Sequence, residues 1–542
     1  MSAGPMNAER LLAHYEKIAD APDAIARLRR FVLDLAVRGK LVPQDPNDEP
    51  ASELLKRIAK EKARLVKAGA IRKPKVLPDV EKPPFDLPLN WRWTPIREVA
   101  SDRGQEIPQS AFTYIDVTAI DKEAGVVADP KVLEASEAPS RARKITRKGD
   151  VIYSCVRPYL LNVAVIETDF DPQPIVSTAF AILNGHGLVV PRYIWIALRS
   201  PFMVACVEEN QRGQAYPAIN DADFAVLPFP LPPLAEQRRI VAKVDELMAL
   251  CDRLEAARAG REAVRDRLAA ASLARLNAPD PETFQDDARF ALEALPDLTT
   301  RPDQIKRLRQ TILNLAVRGK LVPQDSKEKV AKRYDAEPQS DSFPPNWRLL
   351  NFEKFCDIQG GNQPPKSRFI DQPKEGYVRL LQIRDLGERP VPTFIPIGST
   401  NRFCKEGEIL IGRYGASVGK IFWAKDGAYN VALAKFIWPQ DALIAPFAFL
   451  LLKSAYFQDH LAGATRSAQA GFNKGDLAAV NFPLPPLGEQ RRISAKMDEL
   501  TALCDRLEAS LTATAATSRR LLDALLAEAL APAEDREMEA AE

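Results

Sequence analysis

The sequence predicts a mixed α/β protein: two globular mixed-sheet domains separated by two long antiparallel coiled-coil-like helices, with pseudo-two-fold symmetry. Three observations predict it. The segment LAVRGKLVPQD stands at 35–45 and again, unchanged, at 315–325. A longer segment, FPLPPLAEQRRIVAKVDELMALCDRLEA at 229–256, returns at 482–509 with 24 of 28 positions identical. Between the copies lie divergent blocks with short β-branched and aromatic runs. Repeats fix an architecture before any single motif does.

Taken in order, the chain reads as an N-terminal helical repeat piece (1–45), a first variable domain (46–230), a central repeat unit with a long helix (231–325), a second variable domain (326–483), a C-terminal repeat piece with a long helix (484–531) and an acidic disordered tail (532–542). The N- and C-terminal pieces together equal the central one. A closed arrangement cut inside one repeat accounts for this layout, with a linear tandem duplication as the alternative. Arg29–Arg38 and Lys306–Arg318 read as short helices, each stopped by a glycine (Gly39, Gly319) with a proline soon after. No proline interrupts 234–278 or 488–531, so each long helix reaches about 60 Å at 1.5 Å per residue. Ile240, Val244, Leu247, Cys251 and Leu254 step by four and three, as do Ile493, Met497, Leu500, Cys504 and Leu507. Such a stripe predicts a seam between the two helices.

Within the variable domains, Phe112–Val117, Asp150–Cys155, Val163–Ile166 and Thr178–Leu183 read as strands, echoed by Leu380–Arg384, Ile409–Ile411, Lys420–Trp423 and Ala434–Ile437. Each domain adds an apolar helical stretch, Tyr193–Cys206 and Pro446–His460, and the first has an extra basic helix, Ala51–Ala68.

Composition narrows the classes. Charged residues at 27% and hydrophobics at 46% exclude a mainly disordered chain. A net charge of +2 excludes a carpet of positive charge, so any nucleic-acid binding must come from local patches. The first residues, MSAGPMNAER, hold no apolar signal core, and the longest apolar stretch, near Ala442–Leu452, is too short to span a bilayer. The six cysteines form no CxxC pair, which predicts free thiols and a cytoplasmic protein without membrane attachment.

Catalytic and metal-binding patterns are missing. His14, His186 and His460 stand apart from one another and from cysteines at metal spacing, which predicts no metal site and no histidine triad. The run Gly412–Lys420 lacks a phosphate loop's spacing, and Ile421 stands where such a loop needs Ser or Thr; a glycine-rich hairpin between strands is expected instead. Lys82-Pro-Pro-Phe85 cannot supply the oxygen acceptor of an amino-methyltransferase motif, and no glycine-rich cofactor site accompanies it. No residue is expected to be catalytic, and no cofactor is expected in this chain.

What remains is polarity suited to nucleic acid. Residues 139–162 carry six Lys/Arg against one Asp with tyrosines interleaved, and 360–425 carry eleven basic against six acidic residues. Arg, Gln and Asn can make paired hydrogen bonds to base edges while Lys holds phosphates. The candidates in the first domain are Arg141, Arg143, Lys144, Arg157, Tyr159, Asn162, Gln214, Tyr216 and Asn220. In the second they are Asn362, Gln363, Lys366, Gln382, Arg384, Arg413, Tyr414, Lys420, Asn473 and Lys474. Tyr216–Asn220 and Gly471–Lys474 occupy matching places, as DNA-facing loops or as domain-closing turns.

The repeated LAVRGKLVPQ, the PLPPLxEQRRI segment opening each long helix, and APSRARK…KGDVIYSCVRPYLLN resemble the specificity subunit of type I restriction-modification systems, over about 8–530. The resemblance implies two target recognition domains, each reading one half of a bipartite, asymmetric double-stranded DNA site, with the helices setting the unspecified spacer. It implies a non-catalytic subunit that recruits two modification (methyltransferase) subunits and, through them, restriction (translocase/endonuclease) subunits. S-adenosylmethionine, ATP and Mg2+ would then enter through those partners, for adenine methylation and ATP-dependent cleavage by the assembled complex. Two other classes fit the bare residues less well. A methyltransferase with fused recognition domains needs a cofactor pocket that the sequence lacks, and a coiled-coil scaffold with two partner-binding domains leaves the basic, Gln/Asn-rich patches without a role.

Overall fold

The computed structural model describes residues 21, 23–213, 216–277, 282–330, 343–387, 389–464, 471–478 and 480–530. Gln214 and the tail 532–542 lie outside the described residues. The chain forms two compact units: residues up to 260 together with those from 514 onward, and residues 261–513. Each long helix therefore contributes to both units.

In the first unit, helix α1 (Ala24–Val37) ends at Gly39, whose φ of +67° suits the left-handed turn that stops a helix. Helix α2 (Ala51–Lys67) follows, buried only along Ala51, Leu54, Ile58 and Lys62. A ribbon of Arg92–Pro95 and Pro228–Leu231 opens and closes the domain. Inside it are two sheets. One runs in the order Phe180–Leu183, Val151–Ser154, Val163–Val165, Val126–Val127, Ile120–Asp121. The other runs Lys131–Leu133, Phe112–Ile115, Pro174–Ser177, Ala142–Ile145. Both are mixed, because Phe112–Ile115 pairs parallel with Pro174–Ser177 and Val126 parallel with Val165.

The apolar stretch after the sheets is two helices rather than the single one expected, α3 (Pro191–Arg199) and α4 (Pro201–Asn210). Pro201 has no N–H for the preceding turn, and the Ser200 hydroxyl accepts from the Met203 N–H at 3.2 Å while donating to the Ala197 carbonyl at 2.7 Å. Helix α5 (Leu234–Asn277) then leaves the ribbon.

The second unit repeats the plan. Helix α6 (Pro302–Val317) ends at Gly319, φ +71°. A ribbon pairs Arg348–Asn351 with Asn481–Leu484. One sheet runs Asp357–Gly360, Leu433–Ile437, Ile409–Gly412, Ile421–Trp423. The other runs Phe394–Pro396, Tyr377–Leu381, Gly427–Tyr429, Phe403–Cys404, with one parallel pairing at Leu380 and Leu381. Helices α7 (Ala445–Lys453) and α8 (Ala455–Ala464) break at Ser454, and α9 (Leu487–Leu530) closes the order. As the glycine pattern predicts, Gly412–Lys420 bridges two antiparallel strands.

The stripe on the long helices is buried, but its partners change along its length. Ile240, Val244 and Leu247 join the first domain's core beside Val32, Ala36, Tyr193 and Phe229. Farther along, Cys251 and Leu254 pack on helices, α1 at Ile25, Leu28, Phe31 and Leu35, and α9 at Leu525, Leu526 and Leu530. Ile493 and Met497 likewise enter the second domain's core; Cys504 is buried, while Leu500 and Leu507 are half-buried. A continuous helix-to-helix seam is thus replaced, over the opening turns, by packing on the domain. Each helix starts three residues beyond a core strand and cannot leave the sheet at once.

Within each unit the long-helix segments run antiparallel. Arg258 donates to the Ala21 carbonyl (3.2 Å), while Arg29 pairs with Asp252 (2.6 Å) and Glu255 (2.8 Å), so α1 opposes α5. Arg27 pairs with Asp523, and Lys40 reaches the Leu530 carbonyl (2.9 Å), so α1 runs with α9. In the second unit, Arg301 pairs with Asp266 (2.5 Å) and Asn314 donates to Asn277 (3.0 Å), whereas Arg309 meets Asp505 (2.6 Å) and Glu508 (2.8 Å). The roles of α5 and α9 are exchanged. Exposed ion pairs of this kind are worth about 0–1 kcal/mol, against about 1.5–3 kcal/mol for each buried aliphatic side chain. The apolar faces hold the helices and the charges set their direction.

The EQRR element of each repeat locks helix to domain. Glu236 accepts from Trp91 Nε1 (2.9 Å) and Gln44 Nε2 (2.6 Å). Gln237 accepts from the Val190 N–H (2.9 Å) and donates to the Pro232 carbonyl (3.0 Å), and Arg239 pairs with Asp48 (2.6 Å). The second copy matches: Glu489 with Trp347 (2.9 Å) and Gln324 (2.6 Å), Gln490 with Ile444 (2.9 Å) and Pro485 (2.9 Å), Arg492 with Glu328 (3.0 Å). Burial is the largest influence on both glutamates and raises their pKa, the hydrogen-bond donors pulling the other way.

Candidate nucleic-acid interface

In both domains a hairpin loop leaves the central sheet at the same point. In the first, Val151–Ser154 turns through 155–162 into Val163–Val165, with Tyr153 opposite Val163. Cys155 and Arg157 are laced to the segment before the return strand: Ile219 N–H to the Cys155 carbonyl (3.0 Å), Arg157 N–H to the Pro217 carbonyl (2.8 Å). Arg157 and Leu161 are held at φ +50° and +54°. For non-glycine residues this costs on the order of 1–3 kcal/mol each, a strain that clusters at binding loops. The tip displays Val156, Tyr159 (50% exposed), Leu160 and, from the neighbouring loop, Tyr216 (69% exposed). The Arg157 guanidinium lies 4.9 Å from the centre of the Tyr216 ring.

The second domain repeats this pairing with other residues. Ile409–Gly412 turns through 413–420 into Ile421–Trp423. The Arg413 guanidinium lies 5.3 Å from the Tyr414 ring, and its Nε donates to the Phe472 carbonyl at 2.9 Å. Gly471 passes so close that a Cβ there would sit 2.4 Å from the Tyr414 ring. Tyr414 and Lys420 are exposed. An arginine held over a tyrosine ring is steadied by the cation–π attraction, and its remaining N–H groups suit reading a base edge or a phosphate.

A concave pocket of about 810 Å3 lies in the second domain, lined by Gln363, Pro365, Lys366, Phe369, Gln382 and Arg384 among others. Four sequence candidates therefore converge on one site. Arg384 donates to Thr393 Oγ1 at 3.0 Å, and Gln382 Nε2 is buried without a hydrogen-bond partner. Asn362, beside it, donates to Asn401 at 3.0 Å.

Other candidates have structural work. Lys144 is buried, its ammonium 3.7 Å from Asp102 and 3.5 Å from Asp221, because alternation on the strand Ala142–Ile145 turns Ala142 and Lys144 inward. Asn162 is 8% exposed and is closed off by the hairpin. Asn220 caps the short helix Asp221–Ala225, accepting from Ala222 N–H (2.9 Å) and Asp223 N–H (2.8 Å), and Asn473 accepts from Gly475 N–H (2.8 Å) in the same way. Those matching asparagines belong to domain-closing turns. Lys474 is paired with Asp357 at 3.2 Å. Arg141 is exposed and Arg143 half-buried. Sequence reasoning missed Phe369 and the apolar tips Val156 and Leu160, which carry no charge or amide to single them out. Among the described residues no group of three or more His, Cys, Asp or Glu is placed to hold a metal ion, and no helix is long and apolar enough to cross a membrane.

The family model described as the type I restriction modification DNA specificity domain matches residues 344–515. The specificity subunit of the type I restriction enzyme EcoAI from Escherichia coli is 28% identical over 92% of this chain and 93% of its own length. That of EcoEI from the same species is 28% identical over 93% and 94%. A chain solved in a study of complex assembly and conformational transition of the type I R-M system is 29% identical, with a TM-score of 0.53, over 82% of this chain and 99% of that one. The HsdS subunit from Thermoanaerobacter tengcongensis is 30% identical over 82% of this chain and 98% of that one, with a TM-score of 0.47. The chain belongs to the specificity (HsdS) subunits of type I restriction-modification systems. It is the DNA specificity subunit of such a system, a non-catalytic member by family.

Proposed function

We propose that each domain reads one half of a bipartite, asymmetric double-stranded DNA target through its hairpin loop, and that the long helices set the unspecified spacer between the halves. The observation that carries this reading is the repeated loop. The matching hairpin in both domains, on a frame fixed by the same Glu–Trp and Gln–backbone bonds, carries an arginine over a tyrosine ring, but at different places and with different neighbours: Arg157 on Tyr216 of the adjoining loop, Arg413 on Tyr414 of the hairpin itself. Different neighbours on equal frames are what two unlike half-sites require. The helices and their repeats then dock two modification subunits in the cytoplasm, and through them restriction subunits. S-adenosylmethionine, ATP and Mg2+ belong to those partners.

Methylation mapping of a host carrying the complex tests it. Arg157→Ala with Tyr159→Ala should relax or abolish recognition of one half-site and leave the other intact, and Arg413→Ala with Tyr414→Ala should do the reverse. Loss of both halves from either variant, or of neither, contradicts the assignment.

A further inference from the structure

We propose that the pocket of the second domain receives a single nucleotide drawn out of the base stack of bound DNA. The inference rests on the reading of this domain as a DNA-reading one and adds to it what enters the pocket. Shape argues first. The grooves of a duplex are concave and are read by side chains that protrude. A concave protein surface fits what protrudes from DNA, namely a phosphate ridge or an unstacked nucleotide.

Chemistry chooses between these. A phosphate ridge would use Lys366 and Arg384 and leave the rest idle. Phe369, half-buried beside Pro365, offers an apolar face on which a base can stack. Gln382 lines the pocket while its Nε2 is buried without a partner, so a turn of the amide towards an acceptor such as a base carbonyl or ring nitrogen would pair a donor that is costly to leave unpaired. The Gln363 amide is exposed on the same wall and can read the same edge. Lys366 makes no ion pair among the described residues, and Arg384 is held only by Thr393 Oγ1, so both can meet the flanking phosphates. At about 810 Å3 the cavity lies within the range of about 300–1,000 Å3 typical of small-molecule pockets. Its lining, a phenylalanine, prolines, two glutamine amides and two cations, is suited to stacking on a base and reading its edge.

The full chain with its modification subunit is mixed with target duplexes in which each position of the second half-site in turn carries a fluorescent analogue, 2-aminopurine for purines or pyrrolocytosine for pyrimidines. One position other than the methylated adenine should change its emission at least twofold on binding. Phe369→Ala and, as a milder variant, Gln382→Leu should remove that change while leaving the signal at the methylated adenine, which also reports that the complex is folded. Emission changes at the methylated adenine alone overturn the proposal. In that event, weaker binding of the second half-site by Lys366→Ala with Arg384→Ala leaves the DNA-reading role standing without the extruded nucleotide, and unchanged binding removes that role from this surface as well. Saturable binding of dAMP by the chain without DNA, lost in the same variants, would make the occupant a free nucleotide and overturn the extruded one.

Discussion

The indole N–H of Trp91 donates to the Glu236 carboxylate at 2.9 Å across a sequence separation of 145, and Trp347 does the same to Glu489 at 2.9 Å. The tryptophans open the domains and the glutamates begin the long helices, so this bond is one of those that tie each domain to its helix. Trp91→Phe and Trp347→Phe keep most of the ring and delete the donor. Each should lower the unfolding free energy by about 1–3 kcal/mol, the cost of a buried acceptor left short of a partner. The reading is a lower urea midpoint at unchanged slope.

The same glutamates give the stability a pH dependence. Burial raises both above the ordinary 4.5, so the folded chain binds protons more tightly than the unfolded one. Their contribution is fully present below about pH 4.5 and is lost as pH rises through the raised values. A variant carrying Glu236→Gln and Glu489→Gln lacks this titration. The stability of the wild type minus that of the variant should therefore fall as pH is raised from 4.5, then level off. A difference that grows with pH would reverse the sign.

Gly39 and Gly319 each sit where an added Cβ would stand 2.4 Å from a proline ring, Pro88 or Pro344, at φ +67° and +71°. Alanine there meets both a backbone penalty of about 1–2 kcal/mol and a contact with a rigid neighbour. Each single substitution should lower Tm by several degrees; a shift within about 1 °C would mean that the turn relaxes freely.

Lys144 and Arg157 lie in one basic run and should behave oppositely. Lys144→Ala leaves the Asp102 and Asp221 carboxylates without their cation and should destabilise the first domain while sparing the methylated sequence. Arg157→Ala should change stability by no more than about 0.5 kcal/mol and reduce DNA binding. Denaturation and DNA binding measured side by side separate the two.

Arg238 and Arg491 are the members of EQRR with no hydrogen bond or ion pair among the described residues, and both are exposed. A feature repeated in both units suits a partner that binds twice. Arg238→Ala with Arg491→Ala should leave the melting curve unchanged and weaken co-purification of the modification subunit.

The long helices are legible in the sequence because an uninterrupted four-three stripe has only one regular solution. What covers the stripe is not legible, since periodicity reports a buried face and not its partner; Ile240 and Ile493 rest on sheet domains, while Cys251 rests on α1. The same limit divides the candidate site. Composition finds the basic run 139–162, but strand alternation decides that Lys144 points inward, and hairpin closure decides the fate of Asn162. Repetition singles out Asn220 and Asn473, and the fold shows each of them capping a turn. Gln363, Lys366, Gln382 and Arg384 are separable in sequence as polar residues, and only the fold gathers them round Phe369.

Residues 514–530 follow the whole of 261–513 in the chain, yet belong with the first unit. A ribosome adding about 5–20 residues per second therefore completes the second unit before the first, although it begins the first earlier. Until Leu525, Leu526 and Leu530 emerge, the face of α1 formed by Ile25, Leu28, Phe31 and Leu35 lacks part of its cover. A product truncated before 514 carries every residue of the second unit beside a first unit that is marked by exposed oily side chains, the signal that chaperones and proteases read. The order of synthesis thus makes the fold its own check that translation reached the far end of α9.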